Sequence, residues 1–332
     1  MPATAPQSAS RPHRPGSSAA SMTGTVLDTG RRTLAAIRAW LRADPRRAIP
    51  AVTALALVLA QITYPLSAGV ARDRITVAVV VLSASTALLH AATTRGLRWA
   101  AGFFVVVSGL GLTAEIVGTA TGFPFGSYAY AVDRLGPAFA DVPLAVPLAW
   151  TGGLYPIWIV AGMVVSRAHL SGASITQSPG RSASTHAQPP SASGARLLSG
   201  SNAGRLGLFV LGAVGWDLFL DPQMVADGQW TWSVTDAGLP GIPEIPYTNY
   251  LGWALVAVVM AVILTLLDHF LPPPRDPSVA VPVAVFAWTW LGSALAHAVF
   301  LGLPASAIWG FLGLGVLGIP LFLRARAARR AF

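Results

Sequence analysis

Beyond its first 47 positions the chain alternates long apolar runs with short polar stretches, at residues 48–68, 75–93, 99–119, 142–165, 204–221, 250–270, 279–300 and 303–323. Each run supplies about 20 mostly apolar positions, the length a helix needs to cross a hydrocarbon core roughly 30 Å thick. Lipid offers backbone N–H and C=O groups no partners, so a run of this kind must satisfy its own as a helix. The pattern predicts an all-α fold: a polytopic membrane helical bundle of about eight transmembrane helices.

The polar stretches set the organisation. Residues 1–46 form an arm, 47–170 hold the first four spans, 171–203 are a linker, 204–323 hold the last four spans and 324–332 are a basic tail. Within the arm, residues 1–30 are rich in Ser, Ala, Pro and Arg and have no apolar period, so they are expected to be disordered. The stretch RRTLAAIRAWLRA at 31–43 puts Leu34, Ile37, Trp40 and Leu41 on one helical face, which suits either a membrane-surface helix or a solvated tail. The linker is a Ser/Gly/Ala/Pro tract, expected to be flexible and cytoplasmic. No internal repeat relates the two groups of four spans, so a duplicated transporter architecture is not supported. The stretches 120–141 and 222–249 carry Gly, Pro, Asp and aromatics, including Phe123, Phe125, Trp230 and Trp232, and are expected to fold back over the bundle.

Charge orients the bundle. The net charge is +9 and all 22 basic residues are Arg. With the N-terminus cytoplasmic, 19 of the 22 fall in cytoplasmic segments, leaving Arg72, Arg74 and Arg134 outside. That asymmetry places both termini in the cytoplasm and accounts for the basic surplus without a nucleic-acid partner. The long Arg-rich start is unlike a cleavable signal, so the first span is expected to be an uncleaved anchor in the cell membrane. The absence of cysteine excludes disulfides, thiol catalysis and thiolate metal sites.

Ionisable groups inside spans are costly and mark candidate chemistry. They are Glu115, Asp217, Asp221, Asp268, His90, His269 and His297. Topology puts Glu115, Asp217, Asp221 and His297 near the outer ends of their spans. Asp268 and His269 fall beside the LPPPRDP turn, where an interfacial or capping role fits. His90 reads as a hydrogen-bonded packing residue. Ser108, Gly111, Glu115, Gly118 and Gly122 share one side of a helix, and that small, polar side lets another helix approach, so Glu115 is expected to face protein. It suits either catalysis or a structural hydrogen bond. Asp217 and Asp221, spaced i, i+4, also share a face, and two carboxyls that close are expected to hold a proton between them. Asp221 reads equally as a helix-end residue before Pro222. His297 fits a satisfied core position or a place near the site. No HxxxH or ExxH spacing supports a metal.

The segments AEIVGTATGFPFGSYAYAVDRLGP, VPLAVPLAW, WDLFLDPQMVADGQWTW and GIPEIPYTNYLGW resemble the membrane carotenoid hydratases. The resemblance covers roughly residues 100–165 and 205–255 and the multi-span layout. It implies a cofactor-independent hydro-lyase of carotenoid biosynthesis that adds water across the terminal C1,C2 double bond of an acyclic carotenoid, giving a tertiary 1-hydroxy end. Relatives of that family act on bisanhydrobacterioruberin and on gamma-carotene, so the particular carotenoid does not follow. Its partners would be the lipophilic carotenoid, water, membrane lipid and possible other enzymes of the same pathway. The chemistry needs an acid, a base and a shield for a carbocation. Glu115, Asp217 and Asp221 are the catalytic candidates, and Phe125, Tyr128, Tyr130, Trp150, Asn249, Trp253 and His297 the substrate-binding ones. Two other classes compete. A prenyltransferase would use Asp217 and Asp221 as a DxxxD for magnesium diphosphate, but no second acidic cluster accompanies them in a span. A proton-coupled transporter would need acids through the membrane, and mid-span positions hold none.

Overall fold

The computed structural model describes Arg31, Ala35, Ala39 and residues 48–173, 200–274 and 278–330. The chain divides into two units, 1–48 and 49–332. In the first, Arg31, Ala35 and Ala39 are helical and exposed. The expectations of a disordered arm and of Leu34, Ile37, Trp40 and Leu41 on one face lie outside the described residues, as does most of the linker expected at 171–203; its edges, 171–173 and 200–203, are helical instead.

Among the described residues, eight helices are long and apolar enough to cross a membrane. They are α1 (Ala48–Thr63, prolonged by the turn Tyr64–Leu66), α2 (Gly69–Arg95), α3 (Leu97–Thr121), α4 (Ala145–Ala173), α5 (Gly200–Ala226), α6 (Tyr247–Phe270), α7 (Ala280–Leu295, prolonged by the π turn Ala296–Phe300) and α8 (Pro304–Arg330). Most run a few residues past the apolar runs that predicted them, because helix geometry continues into polar positions that meet partners at the ends.

α4 is the axis of the bundle. It packs against α2, α3, α5, α7 and α8, and 61% of its most apolar stretch is buried, against 17% for α1. Leu154, Trp158, Val160 and Ala161 are sealed from solvent and lipid. Close packing around this axis depends on small residues, as it does wherever apolar burial alone cannot hold helices together in lipid. At the crossing of α5 and α8 a Cβ on Gly215 would stand 2.6 Å from the Gly313 backbone. Outward-facing Leu55, Leu59, Val105, Val262 and Ile319 are exposed, as lipid-facing side chains are.

α5 departs from its expected end. The run was predicted to stop at Asp221 before Pro222, yet the helix continues through Pro222 to Ala226. Proline lacks the N–H that would bond the carbonyl four residues back. Here Ser306 on α8 donates to that Leu218 carbonyl at 2.7 Å, supplying the missing donor. Asp221 is therefore inside a helix and not at its end.

The loops at one end carry six short strands in three antiparallel pairs, a feature absent from the sequence pattern: β1 at Tyr128–Tyr130, β2 at Ala138–Phe139, β3 at Val142–Pro143, β4 at Trp230–Trp232, β5 at Gly238–Leu239 and β6 at Ile242–Pro246. The pair that matters joins β1 (Tyr128–Tyr130) to β4 (Trp230–Trp232), with Tyr128 opposite Trp232 and Tyr130 opposite Trp230. Two ion pairs fasten this end to the helices: Arg134 Nη2 to Asp73 Oδ1 at 2.7 Å and Arg72 Nη1 to Asp227 Oδ1 at 2.5 Å. Gln229 Nε2 also donates to Asp73, at 2.7 Å.

Candidate active site

Glu115 lies six residues before the loop-side end of α3. The helical face expected from the sequence is buried at Ser108, Gly111, Glu115 and Gly118. Its small residues are required by contact. A Cβ on Gly111 would meet the Trp150 ring at 3.1 Å, and one on Gly118 would stand 2.7 Å from Tyr128 Oη. Ser108 Oγ donates to the Pro147 carbonyl at 2.8 Å, tying α3 to α4.

Three donors converge on the Glu115 carboxylate. Tyr128 Oη donates to Oε2, Tyr130 Oη donates to Oε2 at 2.7 Å and Trp150 Nε1 donates to Oε1 at 3.1 Å. Both tyrosines come from β1. Burial, reinforced by Glu115 beside them, pushes both hydroxyls well above the usual tyrosine range, so they remain donors. An ionised carboxylate only accepts, and three donors with no acceptor opposite suit that form.

Asp217 and Asp221 face this group from α5. Asn249 Nδ2 on α6 donates to both, to Asp217 Oδ2 at 2.9 Å and to Asp221 Oδ2 at 2.5 Å. One amide nitrogen thus bridges the two carboxyls. Asp217 Oδ1 has no donor among the described residues. Two carboxyls gathered on one amide repel each other when both are ionised, the arrangement in which the sequence expects a proton to be held between them.

All of these groups but Asp217 border a cavity of about 460 Å³. Glu115 and Asp221 line it, together with Phe125, Tyr128, Tyr130, Trp150, Asn249 and Trp253. Asp217 and His297 are fully buried and are not part of its wall. Asp217 therefore stands behind Asp221. His297 sits on the π turn, with Nδ1 2.8 Å from Ser306 Oγ and Nε2 3.2 Å from Gln223 Oε1. Ser306 spends its hydrogen on Leu218, so it accepts from His297 Nδ1. The histidine thus belongs to the network that carries α5 past Pro222.

Sequence reasoning missed Trp216, Trp230 and Trp232, which also line the cavity. The Trp150 and Trp253 rings stack at 3.9 Å between centroids, 3° apart, and Trp216 meets Trp253 edge-on at 5.7 Å. Trp216 sits immediately before Asp217 and Trp230 and Trp232 in the QWTW stretch, but only the folded loops show which rings face inward.

The other ionisable groups serve packing. His90 Nδ1 lies 2.7 Å from Tyr155 Oη. At the opposite end of the bundle Asp268 accepts from Arg95, Arg205 and Trp99, and the two guanidinium groups lie over the rings of Trp99 and Trp158. His269 is exposed. Among the described residues, no group of three or more His, Asp or Glu is arranged to hold a metal ion.

A model of the family described as carotenoid biosynthesis protein matches residues 75–317. Among curated proteins the chain is similar to the bisanhydrobacterioruberin hydratase of Haloarcula japonica, 33% identical over 175 residues that cover 48% of this chain and 47% of that protein. The chain thus matches about half the length of that relative. No solved structure matches it. Because the family match runs from α2 into α8 and takes in all three acids and their aromatic surround, the chain belongs to the carotenoid biosynthesis protein family.

Proposed function

We propose that this protein is a carotenoid hydratase of the cell membrane, adding water across the terminal C1,C2 double bond of an acyclic carotenoid end. The observation that carries this reading is the meeting of acids and rings in one apolar chamber. Glu115 and Asp221 border a mostly apolar cavity whose wall includes the rings of Trp150, Trp216, Trp253, Tyr128, Tyr130 and Phe125. A polar substrate would find few partners there, whereas a hydrocarbon end group would find a fit and a proton. The similarity to a bisanhydrobacterioruberin hydratase supports the same reaction class.

The chemistry divides between the two acid groups. The proton shared by Asp217 and Asp221 is delivered through Asp221 to C2, the less substituted alkene carbon, and the π electrons form the new C–H bond. This leaves a tertiary cation at C1. Ring faces of Trp150, Trp253 and Tyr128 stabilise it. Water held by Glu115 adds through oxygen to C1 and gives up one proton, which Glu115 accepts and which returns to the aspartate pair. The sum is alkene plus water to tertiary alcohol, with no oxidant or reductant. The loops of β1 and β4 cover the end group and limit other nucleophiles.

The test is a cell that accumulates a linear carotenoid, grown with and without the protein. The expected pigment is heavier by one water and carries a tertiary hydroxyl. An unchanged pigment profile beside correctly inserted protein would overturn the reading, as would formation of a prenylated product from magnesium and a prenyl diphosphate.

A further inference from the structure

The chamber that holds the acids does not end at the end group. Its wall continues away from the loops along α1 and α7, reaching Leu57 and Gln61 on one side and Trp288 and Gly292 on the other. From Trp288 to Phe300 the groove follows roughly 18 Å of helix, at about 1.5 Å per residue. The apolar core of a bilayer is about 30 Å deep. An extended carotenoid of comparable length, with one end at Glu115 and Asp221, therefore outruns the groove.

The side of the groove is open to lipid. Wall residues Ile62, Leu66, Leu295 and Phe300 are 45 to 71% exposed. Along Ala48–Thr63, α1 packs only sparsely against the other helices among the described residues, while its terminal turn Tyr64–Leu66 touches α2 and the π turn of α7. Farther from the loops, a side-chain bond ties it to α7 across the groove, Trp288 Nε1 donating to Gln61 Oε1 at 2.9 Å. Where α7 borders the chamber its last turn widens into a π helix at Ala296–Phe300, a local geometry often found at functional sites.

We propose that the gap between α1 and α7 is a lateral portal through which the polyene tail of the substrate reaches the bilayer, with Gln61 and Trp288 forming a bar across it. The occupant is taken from the hydratase reading. The groove is apolar, continuous with the acids and too short for the whole molecule. Only one end and the adjoining polyene are then held by protein, and the far end group lies in lipid. Carotenoids with different far ends are accepted alike, and a molecule with two reactive ends is processed one end at a time, by release and rebinding.

The absence of native cysteine permits a direct test. In the full chain, Gln61→Cys with Trp288→Cys is joined by a short bis-thiosulfonate linker that a reductant removes. Each preparation is given a linear carotenoid and, separately, a short acyclic monoterpene alkene with the same terminal double bond. Pigment retained by the protein is read from its visible absorbance, independently of turnover. Bridging is expected to lower carotenoid loading and hydration by tenfold or more, reversibly, while hydration of the short alkene is the same before and after bridging. Equal carotenoid loading in bridged and unbridged protein would overturn the portal, as would loss of both substrates together. Loading that depends on the bridge, with neither substrate hydrated in any preparation, would retain the portal and reject the hydratase reading instead.

Discussion

Three donors on one carboxylate and a single amide bridging two others make the acids unequal, and substitution should reveal it. Glu115→Gln keeps the shape but leaves the hydroxyls of Tyr128 and Tyr130 facing an amide that cannot take a proton from water. Hydration per folded protein should fall by about a hundredfold or more, as for lost general acid-base catalysis. Asp221→Asn should fall similarly, and the double variant little further, because the two act in one proton cycle. Near-normal conversion by Glu115→Gln would make that residue structural. The tyrosines make a separate, pH-dependent prediction. Their hydroxyls are held above the ordinary value of about 10 in the fold. The protonated form is thus bound more tightly by the folded protein. Its stabilisation is complete below about pH 10 and is lost as the unfolded chain's tyrosines ionise above it. Helical circular dichroism followed during heating between pH 8 and 11 should show an alkaline fall in stability, shallower in Tyr128→Phe with Tyr130→Phe. The side of α3 that Glu115 occupies was legible, because Ser108, Gly111 and Gly118 are local neighbours on a helix of known pitch. Its partners were named as candidates but not as its donors, since Tyr128 and Tyr130 are positioned by pairing with Trp232 and Trp230 about a hundred residues away.

A helix carried through proline shows how elements decide what residues can do. The apolar pattern ends α5 at Asp221, a fair inference from proline's missing N–H, and Ser306 on α8 supplies the donor that defeats it. Without that bond α5 would be free to break where Asp221 must be held against Asp217 and Asn249. Ser306→Ala should leave the Leu218 carbonyl unsatisfied and buried, at a cost of about 1–3 kcal/mol. Pro222→Ala restores the backbone donor, so the double variant should recover much of that loss. Thermal unfolding of the four proteins gives the coupling directly, and purely additive effects would show that Ser306 does not stand in for the proline's N–H. The same reasoning explains why the strands were illegible. Runs of two to five residues among Gly and Pro carry no sustained alternation, so their pairing is fixed by the helices that bring the loops together.

Across the whole molecule the two ends differ in kind, and this bears on which leaflet supplies the substrate. One end carries the strands, the acids and Arg72, Arg74 and Arg134. The other carries Arg95, Arg98, Arg205, Arg324 and Arg326, two of them drawn together by Asp268. Eight crossings return the chain to its starting side, and arginine excess marks the cytoplasmic side of membrane proteins. We therefore expect the strands and the acid chamber at the outer face, with the end group of the carotenoid hydrated close to the outer interface, where water is near. The orientation is measurable in the cysteine-free chain with one added thiol at a time. Thr235→Cys, exposed among the strands, should react with a membrane-impermeant maleimide in intact cells, whereas Pro273→Cys, exposed beyond α6, should react only after the membrane is opened. The reverse pattern would turn the bundle over and place the chamber at the cytoplasmic interface. The portal between α1 and α7 would survive that reversal, because it is defined by which helices stand apart and not by which face they point to.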